Sequence, residues 1–378
     1  MSENVDQGAA GPAEPSGKYA QQQYPCASCG ARLTFAPGTT ALKCPYCGFE
    51  QQVVHEQERQ VREHSFAQWQ AEAAGKPTTQ VASYTVTCTG CGAHTETDKL
   101  SDVCPFCGAA VVVEPDADVM ITPEGVLPFA ITSDKAMELF QAWVRSRWFA
   151  PSSLRSLAAR EGINGAYLPY WTYDSDTMTM YQGQRGDYYM VTEQYTDSEG
   201  REQTREVQRI RWYPVYGRVE RVFDDILVCA VKQQLPPDKV GKLEPWDLAA
   251  VRPYRPEYLA GYQTLRYEVE PPAGLAEFKQ IAEREIRRDC ADDIGGDQQR
   301  VESMDTEWNA ITFKLLLLPV WLAAYRFDNQ VWRLMINART GEVIGDRPYS
   351  VAKIIAAVVA ALIVLAAVLL VVTTLRGR

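Results

Sequence analysis

The sequence predicts a multi-domain chain: two small β modules, an α+β domain with an antiparallel sheet, and one C-terminal transmembrane helix. Three observations predict it. Eight of the ten cysteines fall into four C-x-x-C pairs before residue 108. Helical and strand-like patterns alternate across residues 129–350. Residues 354–372 form one unbroken apolar run. With 378 residues, 46% of them hydrophobic, the chain can bury a sizeable core.

Residues 1–22 are rich in Gly, Ala, Pro, Glu and Gln and are expected to be disordered. No export signal is read in them. The cysteines follow as two sets: Cys26, Cys29, Cys44 and Cys47, then Cys88, Cys91, Cys104 and Cys107. Two residues between cysteines let a tight turn aim both sulfurs at one ion, and a second such turn closes a tetrahedral S4 site. Each second pair reads Cys-Pro-aromatic-Cys-Gly, and each first pair also ends in glycine (Gly30, Gly92). A glycine there permits positive φ, which turns backbone N–H groups toward the thiolates. Thiolate sets of this kind favour Zn²⁺, with iron as the runner-up; a disulfide framework or a redox pair are the other readings. Both segments, 23–54 and 81–114, resemble zinc ribbons. Four cysteine ligands leave no open position for water, so two structural Zn²⁺ ions are expected, with His55 and His94 as bystanders. Residues 55–80 form a helical spacer, whose Phe66, Trp69 and Ala73 stripe is expected to dock on a ribbon.

Charge narrows the partners. The whole chain carries a formal −10. Residues 1–114 hold 7 Lys/Arg against 12 Asp/Glu, and each S4 zinc adds a further −2. Phosphate binding needs a basic face, so this balance argues against nucleic acid as partner. Zinc thiolates need a reducing compartment, which places the N-terminal part in the cytosol. Cys229 and Cys290 stand alone and are expected to be inert buried thiols.

Residues 115–128 read as an acidic linker. The α+β domain of residues 129–350 opens on a helix from Ser133 to Trp148 with Ala136, Met137, Phe140, Trp143 and Val144 on one face. Pro151 starts a second short helix reaching Glu161. Strand-like sequence runs from Ile163 to Cys229, broken by the turn Asp197-Ser198-Glu199-Gly200. A long helix spans Leu275 to Ile294 and stops at Gly295-Gly296. Strands resume from Thr312 to Ile344, with turns at Asp328-Asn329 and Thr340-Gly341. Leu168-Pro169-Tyr170-Trp171 is echoed by Leu318-Pro319-Val320-Trp321. Either the β half is duplicated, or both stretches share the grammar of edge strands, where proline is tolerated.

The apolar run is long enough to span about 28 Å as a helix, close to the hydrocarbon thickness of a bilayer. Arg347 and Lys353 precede it, and Tyr349 suits the interface. A single-pass tail anchor, residues 351–375 with the N-terminus in the cytosol, accounts for these features. Ala356 with Ala360, and Ala357 with Ala361, give a spacing that permits helix pairing and so an oligomer.

No catalytic constellation is read. The three histidines, His55, His64 and His94, all precede the α+β domain. It therefore has no Ser-His or Cys-His pair. The phosphate-loop and dinucleotide glycine patterns are missing. Asp224-Asp225 should point to opposite sheet faces, and Asp292-Asp293 reads as solvated charge at a helix end. The expectation is a non-enzymatic adaptor for protein partners. A nucleic-acid-binding ribbon protein and an enzyme built on the α+β domain are its rivals.

The two ribbons, Tyr167 to Trp171, Tyr181-x-Gly183-x-Arg185-Gly186, Leu318 to Trp321, and Asn337-x-x-Thr340-Gly341-Glu342-Val343-x-Gly345 together resemble a bacterial family of membrane-anchored double zinc-ribbon proteins. Its members are labelled as containing a transcription-initiation-factor-IIB-type zinc ribbon or, misleadingly, as primosomal helicase N′-like. The resemblance covers nearly the whole chain. It implies a cytosolic head on the inner membrane, associated with phage-shock-type or band-7 (SPFH) proteins in membrane stress. Trp332 to Val343 also resembles a PepSY-type strand-turn-strand.

Overall fold

A computed structural model of the chain describes residues 21–22, 24–53, 60–73, 84–87, 94–97, 99–103, 110–113, 121–151, 163–196, 198, 200–232, 237–327 and 330–376. After β1 (Gln21–Gln22), the first cysteine region contains β2 (Thr34–Phe35), β3 (Ala41–Lys43) and β4 (Glu50–Gln52), which pair as one small sheet. After β5 (His64–Ser65) comes α1 (Phe66–Ala73). The second cysteine region holds β6 (Tyr84–Thr87), β7 (His94–Thr97), β8 (Ser101–Val103) and β9 (Ala110–Val113). Then follow β10 (Gly125–Val126), α2 (Ser133–Ser146), β11 (Ile163–Thr196), β12 (Glu202–Cys229) and α3 (Pro237–Val240). The chain continues through β13 (Arg252–Pro253), β14 (Gln263–Thr264), α4 (Pro271–Ile294), β15 (Gln298–Phe327), β16 (Gln330–Asn337), β17 (Val343–Gly345) and α5 (Val351–Arg376).

The two proline motifs lie in central strands, directly opposite one another. Leu168 pairs with Leu318 in the antiparallel β11–β15 ladder. The local structure repeats about that point. Gly125-Val126 of β10 runs parallel to Leu316-Leu317, and Gln263-Thr264 of β14 runs parallel to Ala166-Tyr167. The Pro169 carbonyl accepts the Ala230 N–H at 3.0 Å, and the Pro319 carbonyl accepts the Ala338 N–H at 3.1 Å. Trp171 Nε1 donates to the Val269 carbonyl two residues before α4 (2.7 Å), and Trp321 Nε1 donates to the Ile131 carbonyl two residues before α2 (2.9 Å). Matched register and matched tryptophan bonds make this a duplicated β-α-β-β unit, each half anchoring the other's helix. Neither proline sits on an edge strand. Each keeps its carbonyl bonded to the returning chain, which is how the ladder tolerates it.

The halves differ in length, and the difference builds an arm. β11 and β12 pair from Tyr170↔Cys229 to Thr196↔Glu202, with one irregularity between Tyr173 and Ser175, whereas β15 joins only as far as Gly186↔Gln298. At about 3.3 Å per residue the 34-residue β11 extends on the order of 110 Å. Beyond Gly186 the arm is, among the described residues, a two-stranded ribbon. α4 covers the sheet up to that point and buries Phe278, Ala282, Ile286, Cys290 and Ile294, one per turn. Gly274 is required where α4 begins, since a Cβ there would stand 2.4 Å from Tyr173 Oη. Tyr181 and Gly183 seat the far end of α4. Tyr181 donates to Asp293 at 2.5 Å, and Asp292 and Asp293 are both exposed at the helix end, as expected.

α2 matches its expected face, burying Ala136, Phe140 and Val144 behind a Thr132 N-cap. Other expectations shift. The Phe66 and Trp69 stripe docks on Phe313 of the sheet rather than on a ribbon. Residues 121–128, expected as linker, place Val126 and Leu127 fully in the core. Strand structure begins at Gln298 rather than Thr312. The short helix from Pro151 to Glu161, the turn at Asp328-Asn329 and residues 1–20 lie outside the described residues.

Candidate functional site

The first cysteine set is brought together. One ligand atom from each of Cys26, Cys29, Cys44 and Cys47 lies within 4.8 Å of the others, and the four can hold a metal ion. Cys26 and Cys47 sulfurs stand 3.5 Å apart, and Cys29 and Cys44 sulfurs 3.6 Å apart. A disulfide needs about 2.05 Å. Metal–sulfur bonds of about 2.3 Å in a tetrahedron place sulfurs about 3.8 Å apart, so the set has the dimensions of an S4 metal site.

Each turn is built as the spacing predicts. Gly30 (φ 71°) donates to the Cys26 carbonyl at 2.9 Å, and Gly48 (φ 76°) donates to the Cys44 carbonyl at 3.0 Å. The Cys47 N–H, helped by that of Tyr46, pulls the Cys44 thiol down to about 6 against the opposing effect of desolvation. The Ala31 N–H pulls on Cys29 in the same sense, but the sulfurs of Cys47, Cys44 and Cys26, together with desolvation, push it up to about 12. Four sulfurs this close cannot all ionise without a cation among them.

The ribbon is not a detached module. Leu33, Phe35, Leu42 and Val53 share one core with Phe129, Tyr258, Tyr262 and Trp321. The Phe35 N–H donates to the Ala260 carbonyl (2.9 Å), and Tyr262 Oη donates to the Phe35 carbonyl (3.2 Å).

Cys88, Cys91, Cys104 and Cys107 lie outside the described residues, as does His55, but the strand pairs that flank these cysteines do not. In the first set the closing pairs are Pro25↔Arg32 and Lys43↔Glu50; in the second they are Thr87↔His94 and Val103↔Ala110. All four join the residue before the first cysteine to the third residue after the second. The other two cysteines stand apart from the first set. Cys290 is buried in α4, and burial pushes its thiol up. Cys229 is half-buried, pushed up to about 11 by burial, and donates to the Val231 carbonyl.

A second cluster escapes sequence reading. Lys314, 7% exposed, places its ammonium 2.8 Å from Glu63 and 2.6 Å from Asp225. Asp174 joins them by accepting the Asp225 N–H (2.6 Å) and the Thr312 hydroxyl (2.7 Å). The Lys314 hydrogen bond holds Glu63 below the usual carboxylate range, while desolvation pushes Asp174 above it. Burial pulls the ammonium down, but its bonds to Asp225 and Glu63 outweigh that and keep it charged. The lysine takes the place a bound cation would occupy. Asp225 converges with Asp174 across the irregularity at Tyr173/Ser175, where regular strand alternation does not apply. The one available signal was a lysine inside the apolar stretch Phe313 to Leu318.

α5 is long and apolar enough to cross a membrane: its window Val351–Leu369 has a mean hydropathy of 2.8, and none of it is buried in the protein. His64 bonds Glu124 through Nε2 at 2.9 Å. A cleft of about 610 Å³ lies between α1, α4 and β15; its lysine, Lys279, sits 5.0 Å over the Trp308 ring.

No family model matches the chain, and no solved structure matches it. The chain is similar to a protein of Bacillus subtilis (strain 168), "Uncharacterized protein YdjG", with 23% identity over 342 residues that cover 88% of this chain and 92% of the relative.

Proposed function

We propose that the chain is a non-enzymatic, membrane-tethered adaptor of the double zinc-ribbon type, holding a projecting β arm for protein partners on the cytosolic side of the inner membrane. The observation that carries this reading is the arm. Beyond Gly186 it exposes Tyr188, Tyr189, Met190, Tyr195 and Ile210 on a two-stranded ribbon that, among the described residues, has no third strand and no helix over it. Isolated hairpins are marginal in water, and clustered exposed apolar side chains mark interaction sites. Glu193 pairs with Arg205 and Arg209, and the Arg205 and Arg211 guanidinium groups lie 5.4 and 4.7 Å from the Tyr195 and Tyr189 rings, which remain exposed. Two structural zinc ions complete the reading. The S4 geometry supports the first, and the repeated closing register around Cys88–Cys91 and Cys104–Cys107 supports the second. Proteins of the phage-shock and band-7 type are the partner class implied by the family resemblance.

A trimmed chain tests this reading. Asp187 pairs with Arg211, so Asn-Gly can replace residues 188–210 and close the hairpin there. Full-length and trimmed chains, tail intact, are used to capture partners from detergent-solubilised membranes. The trimmed chain is expected to keep its metal content and thermal midpoint and to lose the partners. Equal capture by both chains contradicts the proposal.

A further inference from the structure

We propose that the head rests on the bilayer through a second membrane contact, formed where the end of α2 meets the start of α5. Its members are Trp148, Phe149 and Tyr349, framed by Arg145, Arg347 and Lys353. The inference builds on the reading of α5 as a membrane helix and adds that the head is seated on the lipid surface rather than hung from a free tether.

The three rings are left out of the core. Trp148 is 77% exposed, Tyr349 60% and Phe149 36%. They come from stretches 200 residues apart that are bolted together. The Ser350 N–H donates to the Phe149 carbonyl at 2.7 Å. Lys353 Nζ donates to the Ala150 carbonyl at 2.8 Å and to the Trp148 carbonyl at 3.3 Å. Ala150 itself is buried in the core, so the clamp grips the body of the protein. α5 starts at once, with the Ile354 N–H on the Ser350 carbonyl at 3.1 Å. No slack separates the head from the apolar helix.

Length then sets the depth. The apolar run 354–372 spans about 28 Å and must use all of it to cross a hydrocarbon layer of about 30 Å. Ile354 therefore lies at the hydrocarbon edge and the Lys353 ammonium at the headgroups. The carbonyls that Lys353 grips are at that same level, which places Trp148 and Phe149 in the interface.

The chemistry suits that depth. Tryptophan and tyrosine rings favour the membrane–water boundary, where one part of the ring is apolar and the other wet. The Arg147 guanidinium lies 4.9 Å from the Trp143 ring, and that of Arg347 lies 5.1 Å from the Tyr349 ring. Such cations favour anionic headgroups. The nearby carboxylate of Asp346 is engaged by Lys239. β11 starts at this end of the molecule, since Ile163 packs against the core that holds Ala150, and its tip lies 34 residues along. The contact would thus anchor the foot of the arm.

The test uses the full chain in vesicles containing anionic phospholipid, with all nine tryptophans replaced by 5-fluorotryptophan. Trp148→Phe assigns the Trp148 fluorine line, and flotation establishes that the protein is in the vesicles. With lipid spin-labelled near the headgroup, the Trp148 line is expected to be lost, while those of buried Trp171 and Trp321 persist. Lys353→Gln should return part of the Trp148 line while the protein still floats. A floating protein whose Trp148 line is untouched by the labelled lipid overturns this inference and leaves the membrane reading intact. A protein that does not float overturns both.

Discussion

Removing the metal from Cys26, Cys29, Cys44 and Cys47 is expected to unfold the base of the whole head, not a detached ribbon. The reason is the shared core: Leu33, Phe35, Leu42 and Val53 pack in one cluster with Phe129, Tyr258 and Trp321. Structural zinc contributes about 10–16 kcal/mol in small zinc domains at neutral pH. A domain's entire stability is about 5–15 kcal/mol. Loss of the ion therefore exposes the face that Tyr258 and Tyr262 present to the ribbon. Chelation, or Cys44→Ser, should abolish the native near-ultraviolet dichroism of these aromatics and sharply lower the unfolding midpoint. Cys290→Ala, which touches no ligand, should lower it far less. Metal analysis should return about two zinc ions per chain, one per four-cysteine set. An unchanged midpoint after complete metal loss would refute the structural role.

Phe313→Ala is expected to cost about 3–5 kcal/mol. Phe313 is 1% exposed and sits at the hub of an aromatic cluster. Ring centroids of Phe66, Trp69, Trp171, His64 and Tyr173 lie between 5.6 and 6.3 Å from its own. Its backbone also pairs with His64. Truncation leaves a cavity and removes the seat of α1, so residues 60–73 should become cleavable by protease before the body unfolds. Phe313→Leu keeps most of the volume and should cost about 1–1.5 kcal/mol. Urea midpoints for the two variants check the ratio. Equal, small shifts would mean that α1 is held elsewhere.

What the sequence disclosed and what it hid have physical causes. The cysteine turns were legible because four ligands on one ion leave little freedom: spacing, glycine and register follow from coordination. α2 and α4 were legible because each buries one stripe at helical period. The arm was not. Residues 298–311 are mostly exposed or half-buried, so their alternation carries little hydrophobic contrast. The proline motifs were visible as an echo, but their pairing is a contact between residues 150 apart, which local pattern cannot reveal. The Lys314 cluster depends on the irregularity after Tyr173 and on the positive φ of Asp225 (52°), neither of which composition announces.

The central claim is that the arm is where partners bind. Photocross-linking in intact membranes tests it most directly. A photoreactive residue replaces Tyr189 or Tyr195 on the arm, or exposed Thr39 on the ribbon as a reference site. Discrete protein adducts from both arm positions, with none from Thr39, are the result predicted. Adducts from Thr39 alone, with none from the arm, would contradict the account.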